Sequence, residues 1–216
     1  AGVAQAIEPG ATSDVRGDAA VQTAELALGN GDCRSASERY ADLATARRDT
    51  RIARRAVEVA VSCLHLPAAW RSANHWASID PENVEALRAA GLVALELYRI
   101  DDATRMFRSL LEKPDVEVDR ALAELLPPIA EGDSASAAWR VFGSIVDRNA
   151  IDDDNRIALA ELAIAADHFA AAVEVAQSVL ARDAGNAAAL RLVALLRAAN
   201  DDAAGALDAA RSAATA

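Results

Sequence analysis

Gly31-Asp32-Cys33, with Ala36 and Tyr40 behind it, opens a phrase that the rest of the chain repeats. A turn of small or polar residues leads to an alanine, then to a bulky residue about one helical turn further on, then to an acidic break. Tyr98-Arg99-Ile100 leads in the same way to Ala103 and Phe107. Asp167-His168-Phe169 leads to Ala172, and Asp201-Asp202-Ala203 to Ala206. The break Asp80-Pro81-Glu82-Asn83 returns as Asp183-Ala184-Gly185-Asn186. The spacing is about 34 residues, the length of a helical hairpin that cannot bury its apolar face alone, so copies must stack. The predicted fold is all-α: a right-handed α-solenoid of about six helical hairpins.

Composition agrees with that reading. Hydrophobic residues make up 53% of the chain and aromatics only 4%. Alanine dominates the apolar set; it has the highest helix propensity and lets helices approach closely. Alternating runs of Val, Ile, Thr or aromatics are absent, so little or no sheet is expected. The net charge of −11 argues against nucleic acid as the main partner and against an anionic membrane surface. No apolar run approaches the ~20 residues of a membrane span.

Along the chain, residues 1–17 read as a flexible N-terminal lead-in and residues 18–216 as the repeat domain. Asp18 is the expected N-cap of the first helix, which should end at Gly29-Asn30-Gly31. The second repeat carries a helical stripe of Ile52, Ala53, Ala56, Val57, Ala60 and Val61. Asp80 is expected to cap the third pair, with Pro81 at its first helical position. Gly91 falls mid-helix, where it is tolerable at a point of close helix–helix approach. Pro127-Pro128 should kink or stop a helix early in the fourth repeat. The last helix presents Leu207 among alanines without a polar cap, so self-association is expected there.

The hairpin length, the small residues Gly91, Ala103, Ala137, Ala172 and Ala206, and the Asp80-Pro81-Glu82-Asn83 break together resemble tetratricopeptide repeats over about residues 18–213. A narrower likeness covers residues 25–83. It runs through Glu25-Leu26-Ala27, Gly31-Asp32, Ser35-Ala36, Tyr40, Asp49-Thr50-Arg51-Ile52-Ala53, Arg55-Ala56 and Trp76-Ala77-Ser78-Ile79. This stretch is similar to the N-terminal part of tetratricopeptide lipoproteins of Gram-negative bacteria, although the chain lacks a lipidated Cys near its start. The resemblance implies a periplasmic adaptor. Its partners would be a carboxyl-terminal processing protease and cell-wall hydrolases.

The candidate contacts are arginines. Arg47, Arg48, Arg51, Arg54 and Arg55 crowd one stretch of an acidic chain. In a tetratricopeptide array first helices line the groove, which would aim Arg51, Arg54 and Arg88 at a partner's carboxylates. The competing reading is a solvated face balanced by Asp49, Glu58 and Glu85. Cys33 and Cys63 sit near equivalent turns of adjacent repeats; they are either two small buried thiols or a disulfide. His65, His75 and His168 are scattered, and Asp152-Asp153-Asp154 reads as an N-cap cluster rather than a calcium loop. Trp70, Trp76, Trp139, Tyr98 and Phe107 read as packing residues. No catalytic residue, metal ligand or cofactor motif is expected, so the chain reads as a binding scaffold rather than an enzyme. The alternatives kept open are a self-assembling envelope module and a cytosolic co-chaperone that takes peptide C-termini.

Overall fold

A computed structural model describes residues 19–199 and 202–215. The expected lead-in and the Asp18 cap lie outside the described residues. All described regular structure is helical, twelve α-helices in all, and the all-α hairpin fold is what the structure has. The chain divides into two compact units, one ending at Asp115 and the other beginning at Val116.

The first unit holds three hairpins: α1 (Ala19–Gly29) with α2 (Cys33–Ala46), α3 (Thr50–Ser62) with α4 (Leu66–Ile79), and α5 (Val84–Glu96) with α6 (Ile100–Leu111). Each helix packs on its hairpin partner, and each second helix packs on the first helix of the next hairpin. The second unit holds α7 (Val118–Ala130), α8 (Ala135–Ile145), α9 (Asp153–Ala165), α10 (Phe169–Leu180), α11 (Ala187–Ala199) and α12 (Ala203–Thr215).

One backbone device closes most of the hairpins. Gly31, Leu64, Tyr98 and Asp167 all have positive φ, between 54° and 76°, each just past the end of a first helix. At each, the residue after it donates to a carbonyl five residues back: Asp32 to Ala27, His65 to Ala60, Arg99 to Ala94 and His168 to Ala163, at 2.7–2.9 Å. This Schellman closure satisfies carbonyls that the helix end leaves open and reverses the chain in two residues. Only the first turn uses glycine. Leu64 and Tyr98 stand in the left-handed region with side chains 80% and 57% exposed. Tyr98 is therefore not the packing residue that its place in the repeat suggested.

Helix crossings depend on small residues. A Cβ on Gly91 would lie 2.7 Å from the tip of the Phe107 ring, so α5 and α6 can meet there only because that position has no side chain. Phe107 and Trp76 are themselves buried, with Ala86, Ala90 and Ala103 fully buried around the same crossings.

Two local expectations are corrected. Asp80 does not cap α5; it ends α4, its N–H donating to Trp76. The cap is Asn83, whose side chain accepts from the N–H groups of Glu85 and Ala86 at 3.0 and 3.1 Å. Asn83 also donates to the Asp80 carboxylate at 2.9 Å, so Asp80 and Pro81 form the approach to the cap rather than the helix start. Nor do the prolines stop the fourth repeat early, since α7 continues through Pro127 and Pro128 to Ala130. The carbonyls they orphan belong to Ala123 and Glu124, two exposed residues whose carbonyls water can satisfy. The fourth hairpin is still irregular: α7 lies chiefly against α9 and only lightly on α8. Asn155, 2% exposed, secures that contact. Its amide donates to the Asp119 backbone and carboxylate and to Asp152, all at 3.0 Å. Asp152 caps α9, with Asp153 and Asp154 in its first turn, as the acidic run suggested.

Two outcomes follow for stability. Gly91→Ala should destabilise the first unit by about 1–2 kcal/mol in urea unfolding, because the forced shift of Phe107 outweighs the ~1 kcal/mol gain in helix propensity. Leu64→Gly should instead stabilise it, by a few tenths to about 1 kcal/mol, since relief of left-handed strain exceeds the added chain entropy of glycine.

Candidate interaction face

The first helices of the first unit carry a ladder of alternating charge. Glu25 on α1 and Arg55 on α3 meet in a fork, with Arg55 Nε at 3.0 Å and Nη2 at 2.9 Å from Glu25 Oε1. The Tyr40 hydroxyl, reaching up from α2, donates to the same carboxylate at 2.6 Å. Arg55 also lies over the Tyr40 ring, 5.9 Å from its centre. On α3, Glu58 receives both Arg55 (3.4 Å) and Arg54 (3.2 Å). Arg54 then crosses to Glu85 on α5 at 2.6 Å. The ladder thus runs Glu25, Arg55, Glu58, Arg54, Glu85 across α1, α3 and α5.

Burial sets its electrostatics. Burial of Tyr40, with the hydrogen bond to Glu25 and that residue's charge, pushes the phenol far above its ordinary pKa. Burial would draw the Arg55 guanidinium down, but Glu25's hydrogen bonds and charge hold it above its usual value. Both groups keep one protonation state throughout the physiological range. Tyr40 thus stays a neutral donor and Arg55 a cation on this face.

The sequence-predicted contacts fall on this face with partners already in place. Arg51 grips Asp49, the α3 cap, through its N–H at 2.9 Å and its guanidinium at 3.2 Å. Arg54 is held by Glu58 and Glu85. Arg88 is half-buried on α5. The pairs with Asp49, Glu58 and Glu85 are those of the competing reading, in which the arginines balance their own neighbours. Glu25, Tyr40 and Arg55 were missed as a site. Their signal was repeat spacing: Glu58 stands one repeat after Glu25 and Arg88 one repeat after Arg55, the same charge at each matching position. Arg47 and Arg48 lie before α3, and the Arg47 carbonyl is 3.2 Å from His75 Nε2.

Cys33, the first residue of α2, and Cys63, the cap of α3, are joined in a disulfide, their Cα atoms 5.3 Å apart. On the second helices, Arg71 bridges Glu38 and Asp42, and Arg99 stacks 4.4 Å above the Trp70 ring. In the second unit Trp139 is flanked by His168 and Arg148, each 5.6 Å from its ring.

No family model and no curated protein matches this chain. Among solved structures it is similar to YrrB, described as a TPR protein with an unusual peptide-binding site, at 16% identity and a TM-score of 0.42, covering 77% of this chain and 85% of that one. It is similar to a tetratricopeptide repeat protein from Parabacteroides merdae at 17% identity and 0.44, covering 94% and 80%. It is also similar to PilF from Pseudomonas aeruginosa at 17% identity and 0.41, covering 89% and 87%.

Removing one member of the ladder leaves the others stranded. Glu25→Ala should destabilise the first unit by about 1–3 kcal/mol, read by urea unfolding, because a partly buried guanidinium and a buried phenol lose their shared acceptor. Acid should weaken the same unit. The Arg51 side chain foremost holds the Asp49 carboxyl below its usual range, and hydrogen bonds from Ser35 do the same for Asp32. Their contribution is complete above the unfolded carboxylate range and is lost as pH falls through the lower folded values. The thermal midpoint should drop below about pH 4, and Asp49→Asn, which keeps the cap, should flatten that drop.

Proposed function

We propose that this chain is a non-catalytic protein-interaction scaffold of the tetratricopeptide kind, acting as a periplasmic adaptor that holds a partner protease and its envelope substrates. The observation that carries the scaffold reading is the ordered polar face of α1, α3 and α5, where Glu25, Arg55, Glu58, Arg54 and Glu85 pair in sequence across three first helices. What supports an exported location is the Cys33–Cys63 bridge, since disulfides persist in oxidising compartments and are rare in reducing ones. The protease and the cell-wall hydrolases come from the resemblance at residues 25–83. The negative net charge favours protein partners over nucleic acid.

On this reading the arginines act as gates. A carboxylate from the partner takes the place of Glu85 on Arg54, or of Asp49 on Arg51, exchanging one ion pair for another. A second reading, self-assembly, is favoured by Leu195 and Leu207 in the last hairpin, 58% and 51% exposed.

Tagged protein, cross-linked in a Gram-negative envelope extract and analysed by mass spectrometry, discriminates these readings. Recovery of a processing protease with its substrates supports the adaptor, recovery of only copies of itself supports assembly, and recovery of cytosolic chaperones overturns the periplasmic placement. Arg51→Gln with Arg54→Gln should then weaken capture at least tenfold. Glutamine suits this test better than glutamate, which at position 54 would face Glu58 and Glu85 and unsettle the fold itself. Unchanged capture would remove the arginines from the site.

A further inference from the structure

The first hairpin is attached to the second by different means from those that attach the second to the third. In α1 and α2 the buried side chains are Val21, Ala24, Ala36, Ser37, Tyr40, Ala41 and Ala44, so only Val21 and Tyr40 exceed alanine or serine in size. In α5 and α6 the buried set includes Leu87, Leu92, Leu95, Met106, Phe107 and Leu110. Burial free energy scales with apolar area, and alanine supplies little of it. A repeat with so thin a core depends strongly on the ties to its neighbours, because each repeat is stabilised only by those neighbours.

Two other ties compensate. One is the Glu25–Arg55–Tyr40 cluster on the first-helix face. The other is the Cys33–Cys63 bond, which fastens the first residue of α2 to the C-terminal cap of α3. That bond lies at the surface: both cysteines are half-buried, and Gly31, Asp32, Ser62 and Leu64 around them are exposed. Solution thiols can therefore reach it.

We propose that the first described hairpin is a latched repeat which a reducing dithiol releases, uncovering the side of α3 on which α2 packs. The dithiol's thiolate attacks one sulfur of the bridge, forms a mixed disulfide and expels the other cysteine as thiolate. Its second thiol then displaces the first cysteine. The dithiol leaves as its cyclic disulfide, and Cys33 and Cys63 each take up a proton as thiols, a transfer of two electrons and two protons in all. The released state keeps α5 and α6, whose apolar core does not depend on the bond.

Hydrogen–deuterium exchange on the full chain, with and without dithiothreitol, tests this. Amides of residues 19–46 should exchange on the order of a hundredfold faster after reduction, while those of residues 84–111 are unchanged. Cys33→Ser with Cys63→Ser should reproduce the pattern without reductant. Should that variant fold poorly, reductant titration of the native oxidised protein still reads the same amides. Unaltered exchange in residues 19–46 overturns the proposal. An equal rise across residues 19–111 also overturns it, since the bond would then be a staple for the whole unit.

Discussion

Close approach between short helices is the constraint on which each unit depends. A helix of eleven to fourteen residues is marginal in water, and two of them joined by a tight turn still leave an apolar side uncovered. Stacking answers this only if neighbouring backbones come close enough to exclude water with small side chains. Gly91 beneath the Phe107 ring is the sharpest instance, and the fully buried alanines Ala36, Ala86, Ala90, Ala103 and Ala172 play the same part elsewhere. The left-handed residue at Gly31, Leu64, Tyr98 and Asp167 belongs to the same economy, because it reverses the chain with the fewest residues.

Alanine-rich crossings pack well but contribute modest apolar area, and the first unit makes up the difference unevenly. Its third hairpin buries four leucines together with Met106 and Phe107. Its first relies on a carboxylate shared by an arginine and a tyrosine, and on a covalent bond. Polar ties of this kind are directional, so they order the face on which they lie. The charge ladder across α1, α3 and α5 is thus part of the stacking as well as the candidate interaction face. The second unit solves its own local problem differently, with buried Asn155 holding α7 to α9 where the proline-bearing helix scarcely touches α8.

The candidate site was only partly legible. The arginine cluster stood out by local density, and its acidic neighbours Asp49, Glu58 and Glu85 could be named from the sequence. Glu25 was not connected to Arg55 because the two are a full repeat apart and their meeting requires α1 and α3 to be set side by side. Tyr40 was legible as an inward residue, but not as a donor to a carboxylate. Tyr98 was misjudged because nothing in its local pattern distinguishes a packed aromatic from one placed in a left-handed turn.

Recurrence at about 34 residues, high alanine content and the absence of strand patterns determined the all-helical hairpin fold from the sequence alone, because helical periodicity and hairpin length are local properties. The N-cap role of Asp152 and the small residue at position 91 were legible for the same reason. Tertiary structure alone decided which polar groups share a hydrogen bond, that Asn83 and not Asp80 caps α5, that Cys33 and Cys63 are bonded, and that α7 runs through its prolines. Each of these turns on distances between helices that local pattern does not encode, or on whether an orphaned carbonyl faces water.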